Sequence, residues 1–178
     1  TPFIFEKIIC ESGKNYKYID DPCAYPKAQK NKIELKGARE ANIRDGVSLT
    51  KFLYWLKNEI NTNVIDENKA AKKIFSLRKK NDLFYSLSFK TISAFNQNSA
   101  LPHYNLTKES NLPIKKNGIY LIDSGAQYLD GTTDITRTVI LGIPTKEQKD
   151  RFTRVLKGHI ALATCTFNER TKGLSLDS

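Results

Sequence analysis

Methionine is absent from this sequence of 178 residues, and the chain holds only three cysteines and one tryptophan. A chain without methionine does not begin at an initiator residue, so we expect a processed product or part of a longer protein. Three cysteines without paired spacing argue against a disulfide framework or a zinc ribbon, and they favour a reducing, cytoplasmic compartment. No stretch approaches the ~20 apolar residues that a membrane-spanning helix needs, so we predict no membrane partner.

Basic residues are in clear excess, because 29 Lys and Arg side chains face 19 Asp and Glu side chains, a net charge of +10. One helix is predicted to carry an outer basic face, made of Lys69, Lys72, Lys73, Arg78, Lys79 and Lys80. Such a face would suit a nucleic-acid-binding protein, which is one alternative function. No nucleic-acid motif or aromatic stacking platform accompanies the basic face, so we predict a solvated lysine-rich surface and no nucleic-acid partner.

Two segments have the apolar periodicity of helices. From about residue 27 to residue 60, apolar side chains recur at three- and four-residue steps, which predicts a long amphipathic helix. Asp66 can cap a second helix. The inner face of this second helix is predicted to carry Ala70, Ala71, Ile74, Phe75 and Leu77.

Strands are predicted in the middle of the chain. Residues 86–92 alternate polar and apolar side chains, and residues 119–123 form an apolar run of strand type. Another strand is predicted over residues 132–141. Thr145 and Gln148 then have the spacing of a capping box for a last helix. Helices followed by strands and a helix predict an α+β chain.

Two aspartates carry the chemistry that this pattern indicates. Asp123 ends an apolar strand, where packing does not require a carboxylate, and Asp134 lies within the next strand. If residues 125–131 connect a hairpin, the strands pair antiparallel and the two carboxylates can face each other. They would repel unless a proton or a cation lay between them. Oxygen ligands favour Mg, Ca or Mn, while Zn and Co are possible in mixed sites. Thr136 shares a face with Asp134 and could orient an aspartate.

Spacing alone leaves open that these aspartates are turn and cap residues. The segment from Asp123 reads Asp-Ser-Gly-Ala-Gln-Tyr and, from Asp130, Asp-Gly-Thr-Thr-Asp-Ile-Thr-Arg-Thr. It closely resembles the signature of the Xaa-Pro aminopeptidase (aminopeptidase P) family, whose members are metallopeptidases with a pita-bread fold. Similar stretches extend the resemblance over about residues 27–178.

The resemblance implies a fold and a division of the chain. Residues 27–178 are expected to be the N-terminal half of a pita-bread catalytic domain, an antiparallel sheet flanked by helices. Residues 1–26 are expected to be the tail of a preceding non-catalytic domain.

The resemblance also implies roles for individual residues. Asp123 would chelate one metal ion and Asp134 would bridge two. The expected metal is Mn, with Zn or Co as alternatives. His103, in Leu-Pro-His-Tyr, would be the catalytic and substrate-binding histidine near the scissile bond, and Thr136 would support the ligands. His159 matches no site residue and is predicted to be structural.

The implied activity is removal of the N-terminal residue from peptides with proline second, by a homodimeric enzyme. The family completes its site with one histidine and two glutamates further along the chain, so these residues alone would form an incomplete active site. A metal-free pita-bread module that binds peptides or basic proteins, as in certain histone chaperones, is the alternative within this fold. Retention of both aspartates argues against it.

Overall fold

The computed structural model describes residues 3–176 of the chain. The α-helices in this range are α1 (Phe3–Glu11), α2 (Ala24–Ala28), α3 (Lys32–Glu59), α4 (Glu67–Arg78) and α5 (Lys146–Thr164). The strands are β1 (Ile65–Asp66), β2 (Phe84–Leu87), β3 (Ile92–Phe95), β4 (Pro113–Ile114), β5 (Gly118–Ser124), β6 (Ala126–Tyr128), β7 (Gly131–Thr132) and β8 (Ile135–Leu141). Short 3-10 helices occupy Asn96–Ala100 and Gly173–Leu176.

Helix α3 is the long amphipathic helix that the periodicity predicts. It starts at a capping box, in which the Asn31 side chain accepts from the backbone of Ile33 and Glu34 while the Glu34 carboxylate accepts from the backbone of Asn31. Both sets of bonds satisfy backbone N–H groups at the start of the helix, which have no hydrogen-bond partner within the helix itself. Asp66 caps α4 as predicted, through a bond from the Lys69 backbone.

The central sheet is antiparallel, with the strand order β3–β5–β8. Side chains of β5 alternate between buried and half-buried, which is the pattern of a strand with one face on a core. The core lies between this sheet and helices α3 and α4. Its fully buried members include Phe52, Ile74, Tyr120 and Ile122.

Two predictions about the strands are wrong in detail. The alternating residues 86–92 do not form one strand, because β2 and β3 belong to different sheets. The connection 125–131 is not a simple hairpin loop either, since it contains β6 and the start of β7, and β6 pairs with both β2 and β7. The antiparallel pairing of β5 with β8 is nonetheless confirmed.

Helix α4 corrects the predicted basic face. Arg78 does not face outward but is fully buried, and its guanidinium donates to both carboxylate oxygens of Asp45 at 2.7 and 2.8 Å. The reason is geometric, because Arg78 follows Ala70 and Ile74 at steps of four and so shares their inner face. Phe75, predicted to face inward, is 38% exposed and packs edge-on against Phe84.

Three helices bury none of their residues within the described part of the chain: α1, α2 and α5. Helix α5 begins at the predicted capping box of Thr145 and Gln148. His159, predicted to be structural, is exposed on this helix. Across residues 3–176, every helix is too short or too polar to cross a bilayer.

Candidate metal centre

The face of the central sheet that points away from the core carries the candidate site. Antiparallel register places Asp123 of β5 between Ile92 of β3 and Thr136 of β8, so these three residues form one row across the sheet. The row lines a cavity of about 260 Å³, which is also lined by the segment from Asn98 to His103. Three of the four predicted site residues, His103, Asp123 and Thr136, therefore share one cavity.

A hydrogen bond orients Asp123 within this cavity. The Thr136 hydroxyl donates to Asp123 Oδ1 over 2.9 Å. The bond occupies one lone pair of one carboxylate oxygen and leaves the other oxygen to a further partner.

Asp134 lies one residue before β8 begins, so the prediction that it falls within this strand is wrong by one position. It is exposed, and it precedes Thr136 by two residues, which is the spacing of side chains on one face. The register pairs Ser124 with Ile135, so Asp134 comes next to the end of β5 that carries Asp123. Along the backbone Asp134 therefore comes next to the row, but it is not among the residues that line the cavity.

His103 has an unusual backbone conformation. Its φ is +53°, in the left-handed region that residues other than glycine visit rarely, although histidine does so more readily than most. Such a conformation costs roughly 1–2 kcal/mol and persists where surrounding contacts hold it. The side chain is exposed, at the rim of the cavity.

The buried ion pair of Asp45 and Arg78 contacts the end of β5 on the core side of the sheet. Besides binding Asp45, Arg78 donates to the backbone carbonyl of Ser124 over 3.4 Å, and Tyr128 donates to Asp45 Oδ1 over 2.8 Å. Burial and the bond to Asp45 raise the pKa of Tyr128, so its hydroxyl stays protonated as a donor. The residue next to Asp123 is thereby tied to α3, α4 and β6 together.

Glycine is required where the chain turns from β5 into β6. A Cβ added at Gly125 would collide with the Thr133 carbonyl and the Ser88 hydroxyl. Thr133 in turn accepts from the Ala126 backbone through its hydroxyl, at 3.0 Å. This close approach of two backbones brings Asp134, which follows Thr133, back toward Asp123.

The chemistry available to the site is that of oxygen ligands. Residues 3–176 contain no group of three or more His, Cys, Asp or Glu side chains that could hold a metal ion. Among the described residues, Asp123 and Asp134 are therefore at most part of a ligand set.

The metallopeptidase family M24 model matches residues 36–177. The chain belongs to family M24. The match covers the central sheet, the His103 segment and both aspartates, so the candidate site lies wholly within the family's region.

Similar proteins have a consistent description. The chain is 47% identical to a probable Xaa-Pro aminopeptidase P of Laccaria bicolor over 92% of its own length, and 49% identical to one of Aspergillus flavus over 89%. It covers 26% and 25% of these two relatives. The chain thus spans about a quarter of the length of the curated relatives that it matches.

Solved structures agree with this family. The X-prolyl aminopeptidase of Caenorhabditis elegans, described as a cytosolic enzyme with a di-nuclear active site, superposes with a TM-score of 0.78 at 44% identity, over 85% of this chain and 25% of that one. The prolidase of Pyrococcus furiosus gives 0.70 at 27% identity, over 84% and 42%. The predicted α+β, pita-bread fold is confirmed for this chain, which forms part of such a domain.

Sequence reasoning missed residues that hold the site in place. Asp45 and Arg78 were not expected to meet, and Glu67, in the first turn of α4, is fully buried. The four-residue spacing from Ile74 to Arg78 could have indicated that Arg78 lies on the inner face of α4, where it meets Asp45. The burial of Glu67 had no such signal, because an acidic residue at a helix start is explained by the helix dipole alone.

Proposed function

We propose that the full-length protein is a metal-dependent aminopeptidase that removes the N-terminal residue from peptides with proline in second position. The observation that carries the proposal is the cavity shared by His103, Asp123 and Thr136 in an M24 chain. The similar proteins named as Xaa-Pro aminopeptidases support the substrate class. An Xaa-Pro bond has no N–H and a fixed ring, so general peptidases accept it poorly.

The proposed cofactor is a pair of divalent metal ions, with Mn first and Zn or Co as alternatives. The aspartates fit such ions, since hard cations prefer carboxylate oxygens and one oxygen of Asp123 is already oriented by Thr136. Asp123 would bind one ion and Asp134 would bridge both. When bound, such ions lower the pKa of water enough to supply a nucleophile at neutral pH.

The remaining roles belong to side chains of this chain. His103, at the rim of the cavity, would bind the substrate near the scissile bond and donate to the carbonyl oxygen as negative charge develops there. Thr136 would hold Asp123 in one orientation. The other metal ligands would come from outside these residues.

We further propose that residues 27–178 are the N-terminal half of the catalytic domain and that residues 1–26 end a preceding domain. The absence of buried residues from α1 and α2, and a family match that begins at residue 36, support this division. A cytoplasmic location and a homodimer complete the proposal. The nematode relative described as cytosolic supports the location.

The test is hydrolysis of an Xaa-Pro peptide by the full-length protein, before and after a chelator and after return of Mn, Zn or Co. We expect activity to be lost with the metal and restored by Mn best. Asp134→Asn should abolish activity, whereas Asp150→Asn, an exposed aspartate on α5 paired with Arg154, should keep it.

Chelator-insensitive activity, or full activity in Asp134→Asn, would refute the proposal. Peptide binding without hydrolysis, unaffected by chelator, would indicate the metal-free module instead.

A further inference from the structure

Glu67 is a fully buried carboxylate with an unusual set of partners. It is the first residue of α4, and none of its surface is exposed. Its two oxygens accept only from neutral donors, which are the backbone of Phe95 (2.7 Å), the Asn98 amide (3.0 and 3.1 Å), the Tyr104 hydroxyl (2.9 Å) and the backbone of Leu112 (3.1 Å). A buried carboxylate is tolerated when it is bonded in this way and placed at the positive end of a helix.

These donors all belong to one segment. Phe95 ends β3, Asn98 lies in the following 3-10 helix, Tyr104 is in the middle and Leu112 is next to β4. One carboxylate therefore ties the segment 95–112 at both ends and twice between them. Burial raises the pKa of Tyr104, which keeps its hydroxyl protonated as a donor to Glu67.

The segment held by Glu67 carries His103. Residues 98–103 line the same cavity as Asp123, and His103 is directly followed by Tyr104. The strained φ of His103 needs contacts that fix the backbone on either side of it. On one side Asn98 is bonded to Glu67, and on the other side Tyr104 is bonded to the same carboxylate.

We propose that Glu67 is a positioning residue for His103, which rests on the role given to His103 in the proposed function. Glu67 lies behind the cavity wall and acts through Asn98 and Tyr104, without touching the substrate. Gln in its place would have nearly the same size, but its NH2 group would face donors. At least one bond to the segment would then be lost, and the imidazole would move relative to Asp123.

The test uses Glu67→Gln in the full-length protein, alone and combined with His103→Ala. We expect kcat/KM on an Xaa-Pro peptide to fall about 10- to 100-fold in Glu67→Gln, because a displacement near 1 Å costs on this order. In the His103→Ala background the same change should cost less than about twofold, since the effect passes through His103. An equal fold-loss in both backgrounds would overturn the proposal.

Ser93→Ala is the matched control. The Ser93 hydroxyl donates to the backbone carbonyl of Glu67 and also bonds to the Tyr120 hydroxyl. The control therefore removes a buried hydrogen bond to Glu67 but leaves the hydrogen bonds between its carboxylate and residues 95–112 in place. It should leave kcat/KM within about twofold. Tyr104→Phe removes one bond to the Glu67 carboxylate, together with the bonds of the same hydroxyl to Asn98 and Ser110. This variant should also lower kcat/KM, again only when His103 is present, and an equal loss without His103 would count against the proposal.

The imidazole NMR signal of His103, assigned by its disappearance in His103→Ala, gives a second readout that does not need activity. We expect it to shift in Glu67→Gln and to stay in place in Ser93→Ala. An inactive wild-type protein would count against the proposed function only, whereas an unshifted His103 signal in folded Glu67→Gln would overturn the role of Glu67.

Discussion

The two faces of β5 make the clearest comparison in this molecule. On one face Tyr120, Ile122 and Ser124 are completely buried against the helices. On the other face Leu121 and Asp123 are half-buried and line a cavity. A single strand thus stabilises the fold with one set of alternate side chains and presents a carboxylate with the other. The position of Asp123 is therefore fixed by packing in which Asp123 itself takes no part.

The largest expected effect on stability comes from the core face. Ile122→Ala should lower the free energy of unfolding by about 2–5 kcal/mol, because it removes buried methyl groups and leaves a cavity. Hydrogen exchange of the β5 amides in the full-length protein measures the loss. Leu121→Ala, one position away on the cavity face, is the control and should cost clearly less. Equal losses at the two positions would show that the two faces of β5 contribute equally to stability.

A smaller effect is expected on the cavity face, and it concerns metal binding rather than stability. Thr136→Val keeps the shape of the side chain but removes the bond to Asp123, so affinity for Mn should fall about 10- to 100-fold. Isothermal titration with Mn measures the change. Thr138→Val is the control, since Thr138 lies opposite Leu121 in the sheet. Unchanged affinity in Thr136→Val would mean that the bond does not prepare Asp123 for a metal.

The smallest effect is expected outside both faces, at the connection that contains β6 and β7. Arg44 binds both oxygens of Asp130 there, at 3.0 and 2.8 Å, and the pair is partly exposed. Asp130→Asn should therefore cost less than about 1 kcal/mol at pH 7.

The cost of Asp130→Asn should depend on pH. The bond from Arg44 holds the pKa of Asp130 below its ordinary value, so the stabilisation is present above about pH 4 and is lost as the pH falls through the lowered pKa. Denaturation of wild type and variant at several pH values should give curves that converge in acid. A difference that grew toward low pH would show that the ion pair is not its source.

The parts of the fold that could be predicted from the sequence depend on neighbours along the chain. Asp66 and the pair Thr145 and Gln148 cap helices as predicted, because capping involves residues three positions apart. The antiparallel pairing of β5 and β8 also followed from a short connection. Strand position and period made Asp123 and Thr136 candidates, but only the family resemblance favoured a metal site over an ordinary turn there, and only the resemblance pointed to His103.

The parts that could not be predicted depend on distant contacts. Arg78 was placed on the outer face because a charge is expected in water, yet Asp45, far away in sequence, pairs with it in the core. The break between β2 and β3 arises because the two strands find partners in different sheets. Glu67 is buried by a segment that lies about thirty residues further along the chain, which no local pattern encodes.

The most direct test of the metal site is anomalous X-ray diffraction from crystals of the full-length protein grown with Mn. We predict two anomalous peaks, one within about 2.5 Å of an Asp123 oxygen and both within that distance of Asp134. Crystals of Asp134→Asn should lose at least one of them. Full Mn occupancy elsewhere in the protein, with no peak at either aspartate, would contradict a metal site on this face of β5.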